Sequence, residues 1–336
     1  MQIIIPMAGK GKRMRPHTLT TAKPLIHVAG KPVVQRLVED ITKVCGQKVN
    51  EIAFVISPDF GAEVEKDLIK VAESQGAKGS IFYQDVALGT AHAIMCAKDA
   101  INGKTVVAFA DTLFKADFVM DTEKEGVIWV QKIEDPSQFG VVKLNAQGNI
   151  TDFIEKPISF ISDLAIIGIY YFKDGEYLKS ELQYLLDNDI KEKGEFQLTN
   201  ALENMKQKGT QFVPGQVTEW LDCGNKNATV YTNQRVLEFN NGKAELKGKN
   251  IVQHNSLIIE PCYIGDNVEI HHSIIGPHVS IGANSKISGS ILQNSIVQAS
   301  AKIKDAHVQN SMLGIGSEVS GKALDLSISD YTQIIA

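Results

Sequence analysis

The amino-acid sequence predicts an α/β domain with a mostly parallel, Rossmann-like sheet covered by helices, followed by a short left-handed parallel β-helix. Two observations carry this prediction. Over the first two-thirds of the chain, short apolar runs alternate with stretches whose apolar residues recur at helical spacing. Beyond about residue 240 the helical spacing ends, and aliphatic residues recur with a period of six instead.

Length and composition limit the classes of protein to consider. The 336 residues are 43% hydrophobic and 22% charged, as in a globular chain long enough for two domains. The formal net charge of -5 gives no overall positive electrostatic potential that would attract nucleic acid, so we expect no nucleic-acid partner. No apolar run is long enough for a signal peptide or a membrane span, so we expect no membrane partner. The 4 cysteines form no CxxC pair, which favours a reducing compartment and predicts a cytoplasmic location.

The apolar runs of the first part predict strands at residues 3–5, 52–56, 81–83, 106–109, 127–130 and 166–172. Between the first two, Val33, Leu37 and Ile41 belong to a set of aliphatic residues whose spacing predicts a helix. Similar patterns predict helices at about 61–74, 90–100, 176–188 and 197–208. Nearly continuous apolar strands separated by helices are typical of a parallel sheet buried on both faces.

The six-residue period begins near Ile264 and Ile270 and continues through Ile275, Ile281 and Ile287, with small residues between them. One inward aliphatic residue in every six is the signature of a hexapeptide β-helix. An antiparallel sandwich is the alternative, because the register breaks near residues 276 and 292. The predicted divisions are a first domain at 1–240, a linker at 241–252, a β-helix at 253–325 and a C-terminal tail at 326–336.

A glycine-rich segment, PMAGKGKRMRP, follows the first predicted strand. Gly9 and Gly11, next to Ala8, let the backbone approach phosphates because no Cβ is in the way. Arg13 can then contact phosphate oxygens through two N–H groups. A Rossmann dinucleotide loop would have glycine where Met14 stands, and the segment also lacks the Walker A pattern. A structural turn without a ligand is the remaining alternative.

The sequence AGKGKRMRPHTLTTAKPLIHVAGKPVVQ is similar to the opening of the nucleotidylyltransferases that activate sugar 1-phosphates. Their pattern is GxG(T/S)RLxPxT followed by KPxxxVxGKPxI, and the chain departs from it at Lys12 and Met14. Further blocks resemble the same family in the same order: Gln84 with 88–91, Ala110-Asp111, 139–142, 155–157, 168–170, 194–199 and 220–224. The resemblance implies a magnesium-dependent enzyme that makes an NDP-sugar and pyrophosphate from an NTP and a sugar 1-phosphate.

The resemblance also implies roles for individual residues. Arg13, Lys23 and Lys156 are expected to be catalytic, by neutralising the phosphates. The expected nucleotide-binding residues are Ala8, Gly9, Gly11, Arg13, Gln84, Gly89 and Thr90. The expected sugar-binding residues are Gly140, Glu155, Lys156 and Gly168, and the expected ligands of Mg²⁺ are Asp111 and Asp222.

The residue types suit this chemistry, although each has a simpler reading. The attacking phosphate is already anionic, so charge neutralisation matters more than a strong base. Asp111 directly follows a predicted strand, where open α/β sheets bind ligands. Taken alone, Asp111 could instead cap a helix, and Asp222 could be a turn residue. Lys23 and Lys156 could be solvated loop lysines.

Substrate preference follows from two positions. The Gln84 carboxamide offers a donor and an acceptor that match the imide edge of uracil or thymine, which favours dTTP or UTP over GTP. The resemblance places Ile166 at the asparagine of an Asn-x-Gly stretch found in N-acetylglucosamine-1-phosphate uridylyltransferases. Ile166 has no carboxamide to bind an N-acetyl group, so glucose 1-phosphate is favoured. The alternatives are an N-acetylglucosamine-1-phosphate uridylyltransferase, a mannose-1-phosphate guanylyltransferase, a hexapeptide acyltransferase and a non-catalytic regulatory subunit.

The repeat region is short, and we interpret it as an assembly module through which the chain forms a homo-oligomer. Ile258, Ile259, Ile291 and Leu292 are expected to form its apolar surface. Since every expected catalytic residue precedes residue 225, truncation near residue 240 is expected to lower the oligomer order while retaining nucleotidyl transfer.

Overall fold

The computed structural model describes residues 1–116, 118–321 and 326–335, so residues 322–325 of the predicted β-helix and residue 336 of the predicted tail lie outside it. The chain divides into two compact units, and neither is continuous in sequence. The first, here called the α/β unit, contains Met1–Gly9 and Leu37–Trp220. The second, here called the β-helix unit, contains Lys10–Arg36 and Leu221–Ala336.

The strands up to residue 222 are β1 Gln2–Pro6, β2 His27–Val28, β3 Lys31–Pro32, β4 Glu51–Ile56, β5 Lys78–Tyr83, β6 Thr105–Ala108, β7 Thr112–Lys115, β8 Gly126–Lys132, β9 Gly140–Leu144, β10 Ile150–Glu155, β11 Leu164–Phe172, β12 Phe212–Gln216 and β13 Glu219–Asp222. The helices are α1 Val33–Val44, α2 Ala62–Ser74, α3 Thr90–Cys96, α4 Gly175–Asp187, α5 Leu198–Gln207 and α6 Lys226–Phe239.

A mixed sheet forms the centre of the α/β unit, in the order β10-β9-β11-β6-β1-β4-β5, with β8 beside β11 and β12 beside β8. β1 runs parallel to β4 and β6, and β4 runs parallel to β5, whereas β11 is antiparallel to β6. All five side chains of β1 are buried, as expected for a strand covered on both faces. The predicted fold class is therefore confirmed.

The sequence prediction missed α6 and seven strands up to residue 222, namely β2, β3, β7, β9, β10, β12 and β13. β9 and β10 form an antiparallel hairpin in which polar and apolar residues are mixed, so no continuous apolar run marks them. α6 is rich in polar residues, but its first turn is capped, since the Asn225 side chain accepts a hydrogen bond from the Ala228 N–H at 3.0 Å. The predicted helix 90–100 ends at Cys96, and a 3₁₀ turn follows at Lys98–Ala100.

The repeats of the β-helix unit form three sheets in which every strand pair is parallel. The covered sheet contains β16 Cys262–Ile264, β19 Val279–Ile281, β22 Ser295–Val297, β25 Met312–Leu313 and β27 Ser327–Ile328. The charged sheet contains β14 Val252–His254, β17 Glu269–His271, β20 Lys286–Ser288, β23 Lys302–Lys304, β26 Glu318–Ser320 and β28 Gln333–Ile335. The aliphatic sheet contains β15 Leu257–Ile258, β18 Ile274–Ile275, β21 Ile291–Gln293 and β24 His307–Gln309. This architecture confirms the predicted parallel β-helix.

The boundaries differ from the predicted ones at both ends of the repeats. The predicted tail contains β27 and β28, because Ile328 and Ile334 continue the packing of the β-helix core. Residues 10–36 and α6 also group with the repeats rather than with the sheet. The physical reason is a buried cluster that joins residues distant in sequence: Met14, Ile26, Val230, Ile296 and Met312.

The three sheets present different outer surfaces. In the covered sheet, Ile296 and Met312 belong to that buried cluster. In the charged sheet, the outer side chains form ion pairs such as Lys286 Nζ–Glu269 Oε1 at 2.9 Å.

In the aliphatic sheet, Leu257, Ile274 and Ile291 lie in register on neighbouring strands and are 56%, 39% and 43% exposed. Ile291 and Ile259 are exposed as expected from the sequence. The expectation for Leu292 is wrong, because this residue points into the core. Ile258 is only partly exposed and packs against the same core. Among the described residues, no helix is long and apolar enough to cross a membrane.

Candidate active site

The glycine-rich segment forms the first part of a loop, here called the signature loop, that spans residues 10–25 of the β-helix unit. Gly11 has a φ of +53°, and a Cβ there would lie 3.0 Å from both Lys23 Cβ and Thr18 Cγ2, so only glycine fits without strain. The Thr18 hydroxyl donates to the Gly11 carbonyl at 2.8 Å. Lys23 is 9% exposed, whereas Arg13 is exposed. The signature loop therefore carries both residues that are expected to bind phosphates, Arg13 and Lys23. Ala8 and Gly9 belong to the α/β unit, where they follow β1.

Met14, one of the two residues that depart from the family pattern, anchors this loop. It is buried with Ile26, Val230 and Ile296, and Thr229 Oγ1 lies 3.6 Å from its sulfur. Methionine is unbranched and fills irregular space well, so the departure from leucine retains an apolar anchor.

Gln84 follows β5 in the α/β unit, and hydrogen bonds hold the NH₂ group of its carboxamide. Gln84 Nε2 donates to His92 Nδ1 at 3.1 Å and lies 3.4 Å from the Gly89 carbonyl oxygen. Burial lowers the pKa of His92, which favours the neutral imidazole that can accept this hydrogen bond. His92 therefore orients Gln84.

The segment around Gly89 and Thr90 is clamped by the 194–199 block. The Phe196 N–H donates to the Leu88 carbonyl at 2.8 Å, and the Ala91 N–H donates to the Phe196 carbonyl at 2.9 Å. Gly89 has a φ of +115°, and a Cβ there would collide with the Phe196 backbone. Thr90 Oγ1 accepts from the Leu198 N–H at 2.9 Å and lies 3.2 Å from Gln197 Oε1. The Thr90 hydroxyl thus connects α3 to the start of α5.

Gly140, Glu155, Ile166 and Thr199 lie close together in the α/β unit and are here called the Gly140 cluster. A Cβ on Gly140 would lie 3.1 Å from Glu155 Oε2, 3.3 Å from Ile166 Cδ1 and 3.7 Å from Thr199 Cγ2. Thr199 is 6% exposed, and its hydroxyl has no hydrogen-bond partner among the described residues. A buried hydroxyl without a partner is costly, so it points to a missing ligand or water.

Lys156 lies next to this cluster. Its Nζ is 3.2 Å from Glu155 Oε1, and its side chain is 53% exposed. Its backbone has a φ of +42°, which is uncommon for a residue other than glycine. Lys193 Nζ donates to the Lys156 carbonyl at 3.2 Å and supports this turn.

Asp111 and Glu155 both influence the pKa of the buried Tyr170 hydroxyl. Burial raises the pKa of Tyr170 well above its ordinary value, and the negative charges of Glu155 and Asp111 raise it further. Both carboxylates therefore lie within electrostatic reach of Tyr170. Gly168 lies at the register shift of β11, with a φ of +83°, and its carbonyl accepts from the Phe109 N–H at 2.9 Å.

Asp222 lies in the β-helix unit and forms a turn. Its Oδ1 accepts from the Gly224 N–H at 2.9 Å, and its carbonyl accepts from the Thr232 hydroxyl at 2.8 Å. Within residues 1–116, 118–321 and 326–335, no group of three or more His, Cys, Asp or Glu side chains could hold a metal ion. Mg²⁺ is usually bound by one or two carboxylates together with substrate phosphates, so the donor chemistry of Asp111 and Asp222 fits it.

Two residues of the α/β unit were missed as site candidates, namely Tyr170 and Thr199. Both stand in blocks that the sequence analysis quoted, at 168–170 and 194–199, but only their surroundings mark them. The expected site residues divide between the units. The α/β unit carries Ala8, Gly9, Gln84, Gly89, Thr90, Asp111, Gly140, Glu155, Lys156 and Gly168, and the β-helix unit carries Gly11, Arg13, Lys23 and Asp222.

An open α/β sheet with a glycine-rich loop after its first strand and carboxylates after later strands defines the class of α/β enzymes that bind ligands at strand ends. The sequence model of the family described as Nucleotidyl transferase matches residues 2–238, and the chain belongs to this family.

The chain is similar over most of its length to curated proteins. It is 29% identical to the low-salt glycan biosynthesis nucleotidyltransferase Agl11 of Haloferax volcanii, over 95% of this chain and 94% of that protein. It is 28% identical to the glucose-1-phosphate thymidylyltransferase of Streptomyces antibioticus, over 95% of this chain and 93% of that protein. Among solved structures, a putative glucose-1-phosphate thymidylyltransferase from Bacillus anthracis shares the fold at 23% identity, with a TM-score of 0.60 over 72% of this chain and 97% of that one.

Proposed function

We propose that this chain transfers a nucleotidyl group from an NTP to a sugar 1-phosphate and releases pyrophosphate. The observation that supports the proposal is the Gly140 cluster, where the Glu155 carboxylate lies beside Thr199, whose buried hydroxyl has no hydrogen-bond partner among the described residues. Such polar groups suit the hydroxyls of a sugar ring. A relative that is similar over nearly the whole chain is named for glucose 1-phosphate.

The reaction is an in-line displacement at the α-phosphorus of the NTP. An oxygen of the sugar 1-phosphate forms the new P–O bond as the bond to pyrophosphate breaks, and the electron pair leaves with pyrophosphate. Because the nucleophile is already an anion, the enzyme must bring two polyanions together and neutralise the leaving group. We assign Arg13 and Lys23 to the NTP phosphates and Lys156 to the sugar phosphate.

Asp111 and Asp222 are the proposed ligands of Mg²⁺. When bound, the ion would neutralise phosphate charge in the transition state. Asp111 also lies within electrostatic reach of Tyr170, whose hydroxyl is protonated at neutral pH as an ordinary tyrosine is, and whose raised pKa extends this to higher pH. A protonated Tyr170 can donate a hydrogen bond near the sugar-binding Glu155.

The proposed nucleotide is dTTP or UTP. Gln84 supports this choice because its carboxamide is oriented by His92 and can read the imide edge of a pyrimidine. The proposed sugar is glucose 1-phosphate, since the aliphatic Ile166 side chain belongs to the Gly140 cluster and offers no partner to an N-acetyl amide.

The test is pyrophosphate release by the full chain with Mg²⁺. Each of dTTP, UTP and GTP is paired with glucose 1-phosphate, N-acetylglucosamine 1-phosphate and mannose 1-phosphate. We expect the fastest release from dTTP or UTP with glucose 1-phosphate, and none without a sugar phosphate. Preference for GTP would refute the base assignment, and no release from any pair would refute the proposed function.

The proposed oligomer is a homo-oligomer formed through the β-helix. Support for this oligomer comes from Leu257, Ile274 and Ile291, which lie in register on neighbouring strands. Their aliphatic side chains are exposed, whereas the outward-facing positions of the charged sheet carry ion pairs. The strands of the aliphatic sheet contain no Asp, Glu, Lys or Arg, and only His307 among their residues can carry a charge, so two copies of this face would meet with little charge repulsion. The proposed location is the cytoplasm, which the 4 free cysteines suit.

A further inference from the structure

We propose that the last coil of the β-helix, through Asp330, positions the signature loop for binding the NTP phosphates. Asp330 would then be a positioning residue, since it acts through the loop and not on the substrate. The proposal rests on the proposed function, because Arg13 and Lys23 matter only if the loop binds phosphates. It assigns the C-terminal repeats a part in the reaction beyond assembly.

The contacts lie within the β-helix unit and join residues about 310 positions apart. His17 Nε2 lies 3.0 Å from the Ser327 hydroxyl oxygen. The Thr20 hydroxyl donates to Asp330 Oδ2, and Thr21 Oγ1 lies 3.5 Å from the same oxygen. His17 is buried, so this side of the loop is fixed against the coil.

Asp330 is itself held by the β-helix. Its Oδ1 accepts from the Ile315 N–H at 2.6 Å, and the Tyr331 N–H donates to the Ile315 carbonyl at 2.7 Å. One carboxylate oxygen therefore bonds the coil beneath, and the other receives the loop threonines. This arrangement sets the distance between the loop and the coil.

The same corner recurs earlier in the β-helix without the loop. Asp266 Oδ1 accepts from the Lys249 N–H at 2.6 Å, as Asp330 Oδ1 does from Ile315. The following residues, Asn267 and Tyr331, have similar φ angles of 57° and 58°. The described hydrogen bonds of Asp266 stay inside the β-helix. Asp266 is therefore a matched control for the structural part of the role of Asp330.

A shift at Thr20 and Thr21 would reach both expected phosphate ligands. Lys23 follows Thr21 by two residues, and the close approach of Thr18, Gly11 and Lys23 couples the two halves of the loop. Arg13 is two residues from Gly11. Since reacting groups must be placed closely, a displacement of about 1 Å costs on the order of 100-fold in rate.

The test compares the variants Asp330→Ala, Asp330→Asn and Asp266→Ala as full chains. Measured for each are kcat, the KM of the NTP, the KM of the sugar 1-phosphate and the melting temperature. Asp330→Ala should lower kcat/KM for the NTP by about tenfold or more, and leave the KM of the sugar 1-phosphate unchanged. Asp330→Asn should recover much of this loss, since its amide oxygen can still accept and its NH₂ can donate to a threonine hydroxyl. Asp266→Ala should match the wild type in NTP kinetics.

Hydrogen exchange of residues 10–23 gives a second readout that needs no activity. Asp330→Ala should raise exchange there relative to Asp266→Ala. Equal NTP kinetics and equal loop exchange in these two variants would overturn the proposal. If the wild type released no pyrophosphate from any pair, the proposed function would fail, while the exchange comparison would still decide whether Asp330 holds the loop.

Discussion

The α/β unit and the β-helix unit carry different halves of the expected site and hold them in different ways. In the α/β unit, Gln84, Asp111 and Glu155 stand at the ends of strands of one sheet. In the β-helix unit, Arg13 and Lys23 stand on an irregular loop packed against a repetitive scaffold. The residues assigned to base and sugar thus depend on strand ends, and those assigned to the NTP phosphates depend on the repeats. We therefore expect the β-helix to contribute to the reaction as well as to the proposed assembly.

The largest effect of a single substitution is expected at the two carboxylates, one in each unit. Asp111→Asn and Asp222→Asn should each lower kcat by at least about 100-fold, because each removes negative charge from the proposed Mg²⁺ site. Magnesium-dependent pyrophosphate release is the measurement, and the melting temperature checks the fold. Near-normal kcat in either variant would remove that residue from the site, and would show which unit lacks a metal ligand.

Truncation after residue 240 tests whether the signature loop depends on the repeats. The sequence alone favours a truncated chain that still transfers nucleotides, but the structure leads us to expect loss of transfer. The reason is that truncation removes Ile296 and Met312, which bury Met14, and Asp330, which holds Thr20. A second truncation after residue 321 keeps the Met14 cluster and removes the last coil, so it should be less damaging. Wild-type transfer rates in the 240-residue chain would contradict the dependence of the loop on the repeats.

Gln84→Ala tests the strand-end half of the site. This substitution should lower kcat/KM for the pyrimidine NTP by an amount equivalent to about 1–3 kcal/mol of transition-state stabilisation, since the edge of the base loses its hydrogen-bond partner. His92→Ala should cost less, because His92 only orients Gln84.

The same pair gives a pH dependence. Burial lowers the pKa of His92, so the neutral form is favoured in the folded chain, and the Gln84 contact is lost as pH falls through that lowered pKa. NTP affinity in the wild type should therefore weaken only as the pH falls below the usual pKa range of histidine, and His92→Ala should remove this part of the profile. An unchanged profile in His92→Ala would exclude His92 as the titrating group.

Ile274→Glu tests the aliphatic sheet. A buried charge in the centre of a self-association surface should reduce the oligomer order, with kcat within about twofold of the wild type. Ser288→Glu, on the charged sheet, is the matched control and should leave the oligomer intact. Light scattering measures both. An Ile274→Glu chain with unchanged mass would exclude this face as the interface.

The smallest effect is expected at Thr199. Thr199→Val should raise the KM of the sugar 1-phosphate by a few-fold, because a hydroxyl at the proposed sugar site is lost. Stability should not fall, since the hydroxyl has no partner among the described residues. A lower melting temperature with an unchanged KM would indicate a structural hydroxyl instead.

The sequence predicted the elements that have strong periodicity. The buried strand β1, the helix α1 and the six-residue rhythm around Ile264 and Ile281 were all visible, because each follows from one residue pattern. The hairpin of β9 and β10 was not visible, since its side chains alternate irregularly between core and solvent.

The unit boundaries were unpredictable for a different reason. A change of pattern at residue 240 marks where helices give way to repeats, but compact units depend on packing between distant segments. The contacts of Met14 with Ile296 and of Thr20 with Asp330 have no local sequence signal. Tyr170 and Thr199 likewise gain their interest from burial beside Glu155, which only the folded chain reveals.

The fate of the α-phosphate tests the central claim most directly. The full chain is incubated with Mg²⁺, glucose 1-phosphate and dTTP or UTP that carries a radioactive label at either the α- or the γ-phosphorus. If attack occurs at the α-phosphorus, the α-label must appear in a nucleotide sugar and the γ-label in pyrophosphate. Transfer of the γ-label to the sugar phosphate, or release of the α-label as free nucleotide without a nucleotide sugar, would contradict nucleotidyl transfer.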